Sequence, residues 1–98
     1  MNPKQEFEVI KQKIIPVLQS YKITKASIFG SYARQEQTEK SDVDILVKLG
    51  DDVGLIQFSR IKLMLEKAIG KKVDLVEYET IRKELRENIL RDEIPILA

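Results

Sequence analysis

The residues with the most chemical content are acids standing two apart beside a glycine–serine pair. Asp42 and Asp44 fall in the run Ser41-Asp42-Val43-Asp44-Ile45-Leu46-Val47. Alternate residues of an extended strand point to the same side. Asp42 and Asp44 therefore project together, while Val43, Ile45, Val47 and Leu49 point the other way and can fill a core. Neighbouring carboxylates repel unless a proton or a cation lies between them. Magnesium suits such a pair, because it takes oxygen ligands and is commonly held by one or two carboxylates together with substrate phosphates. The bland alternative is that both acids only mark a turn and the entry to a strand.

Gly30 supplies a second element. A glycine at a strand-to-helix turn lets the backbone approach a ligand closely. The amides that follow it, with the Ser31 hydroxyl, can hold phosphate oxygens. Arg34 lies one turn further on and can add charge to the same phosphates, or can serve as a surface ion-pair residue. Ser41 is equally suited to contact a ligand or to cap a turn. Asp74 interrupts the otherwise apolar run Val73-Asp74-Leu75-Val76, and a carboxylate there needs a partner. A strand through Asp74 lying beside the strand of Asp42 and Asp44 would group three carboxylates. Such a group can hold two metal ions, one activating an attacking hydroxyl and one holding a triphosphate. Asp74 would sit nearest the attacking oxygen, as metal ligand and general base. Its alternative role is as the structural partner of a lysine or arginine.

The elements that must position these groups follow from hydrophobic spacing. Phe7, Ile10, Ile14 and Leu18 repeat at helical intervals, predicting a helix over 4–20 that bends or restarts at Pro16. A short strand over 25–29 ends at Gly30, and a short helix is expected over 31–37. Residues 43–49 form the best strand of the sequence, closed by a turn at Gly50-Asp51-Asp52. A helix over 54–69 carries Leu55, Phe58, Ile61, Leu65 and Ala68 on one stripe, with Gly70 as its C-terminal cap. A third strand spans 73–78. Thr80 is placed to cap a last helix with Ile81, Leu85 and Ile89 on its buried face. The apolar tail Ile94-Pro95-Ile96-Leu97 lies beyond it, as core or as partner surface. Helices alternating with strands define an α/β fold, a small mixed sheet flanked by helices in the order α-β-α-β-α-β-α.

Composition removes whole classes of chemistry. The 98 residues suit one domain, spanning 1–98, and include no cysteine and no histidine. Thiol nucleophiles, zinc sites of Cys or His type, Ser-His-Asp triads and disulfides are excluded. A formal net charge of +1 gives no bulk attraction to nucleic acid. The longest apolar runs are far short of a membrane span, and the N-terminus lacks a signal-peptide core, so the expectation is a cytoplasmic protein without membrane contact. A core this small is compatible with a homo-oligomer or a stabilising partner.

The run Gly30-Ser31, ten intervening residues, then Asp42-Val43-Asp44 resembles the signature of the polymerase-β-like nucleotidyltransferase superfamily. The fuller string from Phe29-Gly30-Ser31-Tyr32-Ala33-Arg34 to Ser41-Asp42-Val43-Asp44-Ile45-Leu46-Val47, with Lys72-Val73-Asp74-Leu75-Val76, resembles the minimal nucleotidyltransferase (MNT) family. Gln35 departs from it, standing where that family usually has glycine. The resemblance implies the nucleotidyltransferase fold and ATP as substrate. It implies Asp42, Asp44 and Asp74 as catalytic and metal residues for Mg2+, and Gly30, Ser31, Arg34 and Ser41 as nucleotide contacts. It further implies an antitoxin paired with a HEPN-domain ribonuclease toxin, to which AMP is transferred at a tyrosine hydroxyl. The competing functions are a non-catalytic module that neutralises a toxin by occlusion, and nucleotidyl transfer to a small-molecule acceptor.

Overall fold

A computed structural model describes all residues, Met1–Ala98. Helix α1 (Pro3–Ser20) starts with a capping box in which Asn2 and Gln5 each bond the other's backbone N–H. Phe7, Ile10, Ile14 and Leu18 are buried on one face, as their spacing requires. The helix runs through Pro16 without the expected restart. Pro16 and Gln12 both lie on the solvent side, so the Gln12 carbonyl that loses its helical partner is left facing water.

Strand β1 (Ala26–Phe29) leads into the one-turn helix α2 (Gly30–Ala33), then β2 (Val43–Val47), α3 (Leu55–Ile69), β3 (Val73–Glu77), a 3-10 turn (Tyr78–Thr80), α4 (Lys83–Asp92) and β4 (Ile94–Leu97). The sheet order is β3-β2-β1-β4. β2 and β3 are parallel, joined by α3 as the crossover that parallel strands need, and the other pairings are antiparallel. α1 and α3 cover one face of the sheet. There Ile28, Val43, Ile45, Val47, Ile61 and Leu65 join the α1 stripe in the main core. The opposite face carries a small cluster of Phe29, Leu46 and Ile81. Val76, Tyr78 and Ile89 pack against that cluster, and the acids stand beyond it, Asp42 and Asp74 exposed and Asp44 half-buried.

Three further expectations need correction, and the open choice for the tail falls to the core. The tail is a strand: β4 pairs with β1 and buries Ile96, which gives the sheet a fourth member. The helix over 31–37 stops at Ala33 because Gln35 takes a left-handed conformation (φ 58°). Glu36 N donates to Ser31 O and Gln35 N to Tyr32 O, the bond pattern of a Schellman cap. Thr80 does not cap α4. Its hydroxyl donates to Glu77 O, and Arg82 occupies the N-cap position. Finally, Leu55 and Leu85 are 81% and 50% exposed rather than buried. Each lies in the first turn of its helix, beyond the edge of the layer beneath.

Tyr32 pins α2, its ring fully buried in the main core. The Gln35 backbone explains why glycine suits the position, since a left-handed L-residue costs about 1–2 kcal/mol. Gln35→Gly is therefore expected to stabilise the fold by about 0.5–1 kcal/mol, after allowing for the extra freedom of glycine in the unfolded chain. Urea denaturation checks this; an unchanged or lowered stability contradicts the assignment of strain to this residue.

Candidate active site

The site is built on the parallel pair β2 and β3. Their register sets Asp44 directly beside Asp74 and Leu46 beside Val76. On its other side Asp44 pairs with Phe29, the last residue of β1, so Gly30 follows at the height of the carboxylate. Asp42 precedes β2 by one residue and shares the parity of Asp44. The three acids therefore emerge on one face at one end of the sheet. Val43, Ile45 and Val47 point the other way and are fully buried.

Gly30 is the tightest element. Its φ is +73°, and a Cβ built on it would run into the Asp44 carboxylate. Two independent constraints thus demand glycine there. The electrostatics of Asp44 follow from this crowding. Its pKa is pushed up from 3.8 to about 6, first by burial, then by the charges of Asp74 and Asp42, with Arg34 acting in the opposite direction. Both ion pairs of the structure belong to Arg34, so no cation neutralises the acids. No three acidic side chains converge tightly enough to form a ready-made metal cage. Asp44, with Asp42 and Asp74 at its sides, is an incomplete oxygen donor set. It fits a hard divalent ion that draws its remaining ligands from phosphates and water.

The residues expected to contact phosphate separate into two groups. Ser31 lies in the first turn of α2, partly exposed, directly after Gly30. Arg34 is engaged elsewhere: its Nη1 donates to Asp92 Oδ2 at 2.9 Å and its Nε to Glu36 Oε2 at 3.5 Å. The Asp92 bond is the main reason its pKa rises. It ties α2 to the end of α4. Ser41 serves the turn, its Oγ accepting from Thr38 N at 2.9 Å.

The sequence gives no signal of the Arg34–Asp92 pair, whose members lie 58 residues apart. Nor does it signal the bond of 2.6 Å between the Ser27 and Tyr78 hydroxyls on the same sheet face, where burial is the main cause of a raised Tyr78 pKa. The largest cavity, about 640 Å³, lies at the opposite end of β2 and β3 and includes none of the three aspartates. Asp51, Glu77 and Glu79 line it beside Lys48, but no glycine of positive φ stands against those acids as Gly30 stands against Asp44.

A parallel strand pair carrying facing aspartates beside a glycine turn is the arrangement of a nucleotidyltransferase. The chain belongs to the polymerase beta nucleotidyltransferase family, whose model matches residues 12–98. It is 47% identical over 88 residues to a Methanocaldococcus jannaschii protein described as "Putative protein adenylyltransferase MJ0435", covering 90% of this chain and 95% of that one. It is 36% identical over 70 residues to the protein adenylyltransferase MntA of Thermococcus cleftensis, covering 71% of each. Among solved structures, a toxin–antitoxin with AMP-PNP is similar at a TM-score of 0.79 and 27% identity, over 90% of this chain and 73% of that one. An MNT antitoxin in complex with a tri-AMPylated Shewanella oneidensis HEPN toxin shares the fold at a TM-score of 0.74 and 23% identity, over 94% of this chain and 72% of that one.

The raised Asp44 pKa has a consequence for stability. The folded state holds the proton more tightly than the unfolded state. The associated stabilisation is complete below the ordinary value of 3.8 and is lost as pH rises through about 6. Asp44→Asn is therefore expected to melt higher than the wild type at pH 7.5 without metal. Solvent screening reduces the effect to about 1 kcal/mol, or about 4–8 °C for a domain of this size. The gap should close towards pH 4. A lower melting point for the variant at pH 7.5 would show that the ionised Asp44 carboxylate is not disfavoured by its surroundings.

Proposed function

We propose that this protein is an antitoxin that transfers AMP from ATP to a hydroxyl, a tyrosine, on a cognate HEPN ribonuclease toxin. The observation that carries this reading is the register of Asp44 with Asp74 against Gly30. The named activity of the relatives and the AMP-PNP of the structural neighbour support it.

The roles follow from position. Asp42 and Asp44 would hold Mg2+ with the triphosphate. Gly30 leaves room for the Asp44 carboxylate itself, and the backbone and hydroxyl of Ser31 would face a phosphate held beside it. Asp74 stands on the flank away from Gly30, where an acceptor hydroxyl would approach. It would serve as a ligand to the metal on that side and receive the acceptor's proton. Bound magnesium would neutralise phosphate charge and favour the ionised acceptor. The α-phosphorus–oxygen bond to the acceptor forms as the bond to pyrophosphate breaks in line with it. Arg34, already bound to Asp92, would act by holding α2 in place.

A small-molecule acceptor would find no apolar wall in the open basin against Asp42, which no hydrophobic residue lines. Occlusion without catalysis leaves the crowded carboxylates without a purpose. No helix is long and apolar enough to cross a membrane.

This reading expects a HEPN protein to be encoded beside this one, and the test is label transfer from α-labelled ATP to it. Asp42→Asn and Asp44→Asn are each expected to lower transfer at least about 100-fold, the scale of losing a group that acts in the transition state. Full transfer by both variants overturns the assigned roles. Loss of transfer with undiminished neutralisation supports occlusion instead.

A further inference from the structure

On the flank of Asp42 away from Gly30, the turn before β2 and the turn before β3 enclose an open basin of about 430 Å³ lined by no hydrophobic residue. The Val43 amide donates to Lys72 O at 2.9 Å, which holds the two turns together. Lys40, Lys71 and Lys72 line the basin beside Glu39 and Asp42. None of the three lysines forms an ion pair, although two acids share their walls. Their ammonium groups are thus available to an incoming anion.

Strand order decides which substrate that anion belongs to. Gly30 and Ser31 follow β1, on one side of β2, whereas Lys71 and Lys72 precede β3, on the other. The donor triphosphate lies on the β1 side in the proposed reaction, and Asp74 and the acceptor on the β3 side. We infer that the basin is an acceptor-docking site. It recognises a protein segment whose reacting hydroxyl is flanked by carboxylate side chains. The inference rests on the proposed transfer to a protein hydroxyl and adds the charge of the segment that carries it. The three aspartates would repel an acidic segment, and the lysines offset that repulsion at the one flank from which the segment must enter. An all-polar lining suits such a segment and offers no anchor to an apolar one.

The test is equilibrium binding of fluorescein-labelled nonapeptides, each with a central tyrosine flanked by glutamates, serines or lysines. The full chain is used, with Mg2+ and a non-hydrolysable ATP analogue. The glutamate peptide is expected to bind at least about tenfold more tightly than the lysine peptide. A chain of net charge +1 does not impose that preference in bulk. Lys71→Glu with Lys72→Glu should reduce the preference to less than about twofold, and Lys40→Glu, on the other turn, should weaken it separately. Affinity for the ATP analogue should stay within about twofold in each variant. Absence of a charge preference in the wild type overturns the inference. So does a double variant that keeps the preference, or one that loses affinity for the analogue about tenfold, which would assign the lysines to the donor phosphates. Peptide binding is read without turnover, so a failure of AMP transfer and a failure of this docking site are told apart.

Discussion

Everything at this site depends on a parallel strand pair that forces two carboxylates side by side. The pairing of β2 with β3 is fixed by hydrophobic burial on the far face, where Val43 and Ile45 pack with Val73 and Leu75. A slip of one residue would turn those side chains out of the core and the aspartates into it. The core thus sets the register, and the register sets Asp44 beside Asp74 whether or not anything neutralises them. Burial and like-charge crowding both disfavour the ionised Asp44 carboxylate, and the core that sets the register holds it there regardless.

The surrounding pieces each protect that arrangement. Gly30 leaves the space that a side chain would take from the Asp44 carboxylate. Tyr32, buried in the main core, anchors the one-turn helix that follows. Arg34 joins that helix to Asp92 at the far end of α4, and the chain then passes directly into β4, which closes the other side of β1. The glycine turn is held from both ends of the sequence, which keeps it steady against the central strand.

Much of this was legible in the sequence because it follows from local periodicity. The α1 stripe, the alternation Val43-Ile45-Val47 and the lone acid in Val73-Asp74-Leu75 announce their elements and the faces they present. The outward direction of the acids follows from the same alternation. The rest depends on contacts between distant segments, which periodicity does not encode. Ile94-Pro95-Ile96-Leu97 reads as an apolar tail, and only the free edge of β1 makes it a strand. Arg34 has the type and position of a phosphate ligand, and only the return of α4 supplies Asp92. Thr80 has the character of a helix cap, yet the 3-10 turn takes its hydroxyl first. Lys71 and Lys72 look like ordinary solvated charges until the turn before β2 comes to lie beside them.

In the proposed reaction the β2–β3 register and the Gly30 turn make one divalent-ion site. Paramagnetic broadening of backbone amide signals by substoichiometric Mn2+, in the presence of a non-hydrolysable ATP analogue, tests it most directly. Broadening should centre on residues 30, 31, 42–44 and 74 and leave α1 and the 51–54 loop sharp. Broadening centred instead on Asp51, Asp52, Glu77 and Glu79 at the other end of the strands, or spread evenly over the acidic surface, would contradict the account.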